Sequence, residues 1–142
     1  MTKRILVAVD LTHLNEAEKL LREANRLAEF YGSELSVITV LPDYGMSFVG
    51  SFFKEGTLKE AANAASDTLH ELVRKAMPGR DGVQHIVEIG AAYEKVIEAV
   101  STTGADLVVV GAHKPDMADK IIGPNSARIV RMSPVSTLVI RG

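Results

Sequence analysis

Gly111, His113 and Lys114 follow one apolar run of the chain, and Gly123, Asn125 and Ser126 open a helical pattern shortly after it. A glycine at a strand end admits a ligand against the backbone. A glycine at a helix start exposes N–H groups, and the helix dipole there favours an anion. Asn125 and Ser126 add side-chain donors, and Lys114 reads either as a surface lysine or as a phosphate contact. These are the parts of a phosphate cradle. They are also the parts of an ordinary strand end, loop and helix cap, since Gly, Asn and Ser are favoured caps. On these residues alone both readings stand.

Asp10, Thr12 and His13 follow another apolar run, and their turn, D-L-T-H-L-N, holds no glycine. That excludes G-x-G-x-x-G and its dinucleotide at this position. The sequence has no G-x-x-x-x-G-K-[ST] loop and no G-x-S-x-G nucleophile elbow. A phosphoacceptor receiver would want a second acidic residue beside Asp10 and an aspartate after the third strand, where the chain reads Glu88-Ile89-Gly90. His13, His70, His85 and His113 fall on different elements without an i,i+4 pair, so a histidine metal site is not expected. With no cysteine, thiolate chemistry and Cys-ligated metals are excluded.

The elements that must position these residues follow from periodicity. Ile5 to Val9 is a continuous apolar run, as in a strand buried on both faces of a parallel sheet. Leu14, Ala17, Leu20, Leu21, Ala24, Leu27, Ala28 and Tyr31 recur at helical spacing, closed by Gly32. Leu35 to Leu41 predicts a second strand, stopped by Pro42, and Leu58 to Ala76 a second helix, ended by Pro78-Gly79. Val83 to Ile89 is a weaker, alternating third strand, and Tyr93, Val96, Ile97 and Val100 mark a helix ending near Gly104. Leu107 to Val110 is a fourth strand, a short helix spans about Asn125 to Arg131, and Thr137 to Ile140 is a fifth strand. Strict strand–helix alternation predicts an α/β fold: one doubly wound, five-stranded parallel sheet with helices on both faces. With 142 residues and no internal repeat or linker, positions 1–142 read as a single domain with room for an ordinary core.

Charge is nearly balanced, 16 Lys+Arg against 18 Asp+Glu, with no basic run, so a nucleic-acid partner is not expected. No apolar run approaches the roughly 18 residues of a membrane span, and Met-Thr-Lys-Arg leads into a strand rather than a signal peptide. A cytoplasmic protein is the expectation.

In an open doubly wound sheet, ligands sit beyond the carboxyl ends of the strands where strand order reverses. Asp10, Thr12, Val40, Gly111, His113, Lys114, Gly123, Asn125 and Ser126 all belong to that edge. The opening V-A-V-D-L-T and the stretch G-A-H-K-P-D-M-A-D-K-I-I-G-P-N-S-A resemble the universal stress protein family along the whole chain. They come nearest to its F/G-type nucleotide-binding subclass. That family's motif is G-x₂-G-x₉-G-[ST], and its first strand ends V-D-x-S, where this chain has Asp10 and Thr12. The resemblance implies a Rossmann-like sheet that binds ATP, with Mg²⁺ as a further option. By the same resemblance Asp10 meets the ribose or base, Val40 offers backbone to the adenine, and Gly111, Gly123, Asn125 and Ser126 line the phosphates. From its position alone, His113 lies at the site edge and reads as a solvated loop histidine, with ligand contact as the alternative.

The chain departs from the motif in two ways. Lys114 stands at the second glycine, with a spacer one residue short, as the subclass allows. Pro124 stands where Ser or Thr is expected, and removes a hydroxyl and an N–H from the cradle. Proline still suits the first position of a helix. Asp116 and Asp119 read either as Mg²⁺ contacts or as a solvated loop.

Two further regions bear on partners. Residues 42–56 gather Tyr44, Met46, Phe48, Val49, Phe52 and Phe53 in an irregular, glycine-containing segment, either a satellite core or a lid over the site. The terminal run S-T-L-V-I-R-G leaves an apolar edge strand. The resemblance implies that a second copy covers it, as a homodimer through the C-terminal strand, although Arg141 would alternatively blunt the edge. The reading is therefore a homodimeric, ATP-binding sensor or regulator of a stress response, with a protein partner still unnamed. A slow ATP hydrolase using Lys114, His113 and the loop aspartates is one rival. A nucleotide-free dimerisation module is the other. Flavin electron transfer would need a Ser/Thr-rich phosphate loop after the first strand, which is missing.

Overall fold

A computed structural model describes residues 2–42, 55–112 and 124–141. Its elements follow in the expected order: β1 (Arg4–Ala8), α1 (Leu14–Tyr31), β2 (Glu34–Leu41), α2 (Glu55–Ala76), β3 (Gln84–Ile89), α3 (Ala92–Thr103), β4 (Leu107–Gly111), α4 (Pro124–Met132) and β5 (Ser136–Ile140). His113, Lys114, Asp116, Asp119, Gly123 and the apolar residues Tyr44 to Phe53 lie outside the described residues.

The strands form one parallel sheet in the order β3-β2-β1-β4-β5. Alternation along β1 feeds two cores. Ile5, Val7 and Val9 pack with Leu20 and Leu21 of α1 and Leu69 of α2 on one face. Leu6 packs with Val96 and Val100 of α3 and Ile129 of α4 on the other. Side chains of successive strand residues point to opposite faces, so a run such as I-L-V-A-V serves a sheet covered on both sides. Helix α1 presents Ala17, Leu20, Leu21, Ala24 and Ala28 to the sheet. It ends at Gly32, whose φ of 68° is the left-handed cap and whose N–H reaches the Ala28 carbonyl.

Helix α2 starts at Glu55, earlier than the apolar pattern predicted. Gly56 reads as a loop residue in sequence, yet a glycine in a helix costs only about 1 kcal/mol and does not forbid the turn. Strands β3 and β5 are the sheet's edges, and both are mostly half-buried. Leaving the centre, the chain builds β2 and β3 on one side of β1, and β4 and β5 on the other. The reversal therefore falls between β1 and β4, and the crevice at their carboxyl ends is where an open sheet accepts a ligand.

Candidate functional site at the carboxyl end of the sheet

A cleft of about 680 Å³ opens at that reversal. Each wall follows from where a strand stops. Pairing of β1 with β2 ends at Ala8 and Ile38, with one last bond from the Val9 N–H to the Ile38 carbonyl at 2.9 Å. The chain then turns through Asp10. One carboxylate oxygen, Oδ1, accepts the Thr12 N–H at 2.9 Å and the Thr12 hydroxyl at 2.6 Å. This local bond lets an aspartate end the strand and start the turn into α1. The second oxygen has no partner among the described residues and stands at the exposed lip of the cleft.

Val40 lies past the end of β1. Ile38 pairs toward β1, and backbone direction alternates along a strand, so Val40 turns its own N–H and C=O the same way. Pairing has stopped there, and these peptide groups face the cleft. Across the crevice, β4 ends at Gly111, where an added Cβ would meet Leu20 Cδ2 at 3.8 Å. That is ordinary contact, so the surrounding protein does not require glycine at this point. The start of α4 is tied to the same place, because the Ser126 hydroxyl donates to the Gly111 carbonyl at 2.7 Å. Asn125 lines the cleft beside it.

The fourth wall comes from the β3–α3 junction. Gly90 has φ of 144° and its N–H bonds the Leu41 carbonyl at 2.9 Å; an added Cβ would lie 3.1 Å from Lys95 Cε. A side chain there would be strained and crowded. Tyr93, at the start of α3, lies under the Arg128 guanidinium of α4, whose carbon is 4.7 Å from the ring centroid.

Of the residues singled out in the sequence, the structure gathers Asp10, Thr12, Val40, Gly111, Asn125 and Ser126 around this cleft. Lys114, His113 and Gly123 lie outside the described residues. Sequence reasoning missed Arg128 and took Tyr93 only as part of a helix face. The available signal was spacing: Arg128 lies three residues after Asn125, so both look out of the same side of α4. It also missed that His70 of α2 and His85 of β3 stack face to face, with ring centroids 3.7 Å apart and planes 13° apart. His85 Nε2 is buried without a partner among the described residues, and burial, followed by the His70 charge, pulls its pKa below the usual histidine range. This pair lies on the α1/α2 face, away from the cleft. No group of three or more potential metal ligands occurs among the described residues.

Known proteins share both sequence and fold. The Universal stress protein family profile matches residues 1–141. Universal stress protein G of Shigella flexneri is 25% identical over 143 residues, covering 99% of this chain and 100% of that protein. Among solved structures, hypothetical protein MJ0577 superposes with a TM-score of 0.80 at 21% identity, covering 100% of this chain and 97% of the other. A universal stress protein in complex with cAMP gives a TM-score of 0.68 at 18% identity, with coverage of 99% and 97%. The universal stress protein of Archaeoglobus fulgidus in complex with dAMP gives 0.64 at 20% identity, with coverage of 98% of each chain.

Proposed function

The chain belongs to the universal stress protein family, and from that premise we propose that it binds an adenine nucleotide, ATP in the first instance, in the cleft between β1 and β4. The observation that carries this reading is the cleft itself. Its volume of about 680 Å³ lies within the range of small-molecule sites, and six of the residues picked out in sequence line it. In this reading the Val40 peptide groups read the adenine edge, and the free Asp10 oxygen accepts from a ribose hydroxyl or the base amine. The phosphates run along Gly111 toward Asn125 and Ser126. Glycine at 111, which packing does not demand, leaves room for them. Two structural relatives bound to cAMP and dAMP support the ligand class.

Binding, rather than turnover, is the output we assign, as in a sensor or regulator working as a single domain in the cytoplasm. The Ser126 hydroxyl proton is committed to the Gly111 carbonyl, which suits a positioning role better than a nucleophilic one. No helix among the described residues is long and apolar enough to cross a membrane. A homodimer through β5 completes the proposal, because β5 is an edge strand whose outer backbone groups a second copy would pair. The second reading, a dimerisation module without nucleotide, is favoured by Pro124, which offers the cleft neither N–H nor hydroxyl.

Acid extraction of freshly purified protein, with chromatography of the released nucleotide, separates the two. Near-stoichiometric ATP is the expected result; ADP or AMP would point to slow hydrolysis or a site that rejects the γ-phosphate. If nothing is released and added Mg-ATP leaves the melting temperature unchanged, the dimerisation reading replaces this one.

A further inference from the structure

The cleft contains a cation whose donors the described protein does not use. Arg128 is exposed on α4 and, among the described residues, makes no ion pair or hydrogen bond; its one contact of note is the Tyr93 ring. Tyr93 is itself well anchored. It packs half-buried against the core of Val96, Val100 and Ile129, and its hydroxyl donates to Glu94 Oε1 at 3.1 Å. A guanidinium lying on an aromatic face is held by the ring quadrupole, while its in-plane N–H groups stay free at the edge. Arg128 is thus restrained before any ligand arrives, with a planar set of donors at the wall of the cleft.

The other charges there sharpen what those donors would take. Asp10 and Glu16 are the acids of the lining, and Lys19 is the other lysine or arginine. An anionic group is repelled from the Asp10 side and drawn toward α4. The first turn of α4 is a weakened anion site, since Pro124 lacks an N–H and the Ser126 hydroxyl donates to Gly111. Arg128, one turn further along the same helix, supplies donors of the kind the proline removed.

We propose that Arg128, seated on Tyr93, is the residue that selects phosphorylated ligands in this cleft, its guanidinium edge taking the charged end of the nucleotide. The inference rests on the adenine-nucleotide reading above and adds to it a reason why phosphate should matter to affinity.

The test is calorimetric titration of the full chain, freed of any bound nucleotide, with ATP, AMP and adenosine. Charge-assisted hydrogen bonds predict that Arg128→Gln weakens ATP by ~10-fold or more, with adenosine unchanged. Arg128→Lys should recover part of the loss, since the charge stays and the fork goes. Tyr93→Leu should weaken ATP less than Arg128→Gln does. ATP binding to Arg128→Gln at parental strength would overturn the proposal. So would an equal loss for adenosine, which would make Arg128 a wall and not a selector. If the parent protein binds none of the three ligands, the nucleotide reading falls and this inference with it. If the parent binds and the ATP-to-adenosine ratio ignores Arg128, only this inference falls.

Discussion

The two ends of the sheet are built on opposite terms. At the amino end, polar groups are tied off in pairs. The Asp106 carboxylate accepts the N–H groups of Lys3 and Arg4 at 2.8 and 3.3 Å, and the Arg4 guanidinium donates to the Thr103 carbonyl at 3.2 Å. The Arg80 guanidinium closes the turn after α2 onto the α1–β2 junction, donating to the Ser33 carbonyl at 2.7 Å and to Asn25 Oδ1 at 3.2 Å. The Ser33 hydroxyl, in a residue only 5% exposed, donates to the Thr2 carbonyl at 2.8 Å. At the carboxyl end the Val40 peptide groups, one Asp10 oxygen and the Arg128 donors are left open around a cleft. Unmade hydrogen bonds are costly only where water is excluded. A cleft that admits water can therefore keep donors and acceptors in reserve, whereas the part-buried Arg80 and Ser33 contacts of the amino end could not be left unmade without cost. One end holds the fold together and the other is free to take a ligand.

Substitutions at the two ends should separate these roles. The largest loss of stability is expected from Arg80→Ala, which strips the Ser33 carbonyl and Asn25 of a part-buried donor. About 2 kcal/mol should be lost in a denaturant titration, with ATP affinity unchanged. A comparable loss of affinity would show that the amino end is coupled to the cleft and would break the division. Ser126→Ala at the other end removes the bond from α4 to Gly111. It should cost about 1 kcal/mol of stability and, unlike Arg80→Ala, should also weaken ATP, because the start of α4 is no longer held against the end of β4. Unaltered ATP binding in Ser126→Ala would mean that α4 is positioned by its apolar face alone.

A smaller effect comes from a site belonging to neither end. His85 is held below the usual histidine range by burial and by the His70 charge, against an opposing backbone hydrogen bond at Val83. In the unfolded chain His85 takes up a proton below about pH 6.5, while in the folded protein it resists. Stability from this group is complete above that pH and is lost as pH falls toward the lowered folded value. Melting temperatures measured between about pH 7 and about pH 5 should decline less steeply in His85→Leu than in the parent. Identical slopes would remove the stacked pair as the cause.

The fold was legible because its determinants are local. Apolar runs such as Ile5–Val9 and Leu107–Val110 declare strands covered on both faces, and the spacing of Leu20, Leu21, Ala24 and Ala28 declares a helix closed by Gly32. The start of α2 was hidden because Gly56 reads as a loop residue. Part of the cleft was legible for a similar reason, since Asp10, Thr12, Val40, Gly111, Asn125 and Ser126 sit where strands end or a helix begins. The Tyr93–Arg128 contact was not, because it joins two helices that only tertiary packing brings together. The same holds for His70 and His85, one on a helix and one on a strand, whose stacking has no trace in sequence spacing.

The division between a closed amino end and an open carboxyl end is tested most directly by backbone hydrogen exchange with and without saturating Mg-ATP. Added protection should concentrate at the Asp10–His13 turn, at Val40, at Gly111 and Ala112, and in the first turns of α4, with Lys3, Arg4, Ser33 and Ala105 unchanged. Protection confined to the amino end or to β5, or no protection at all, would contradict the account and move the search for function away from the cleft.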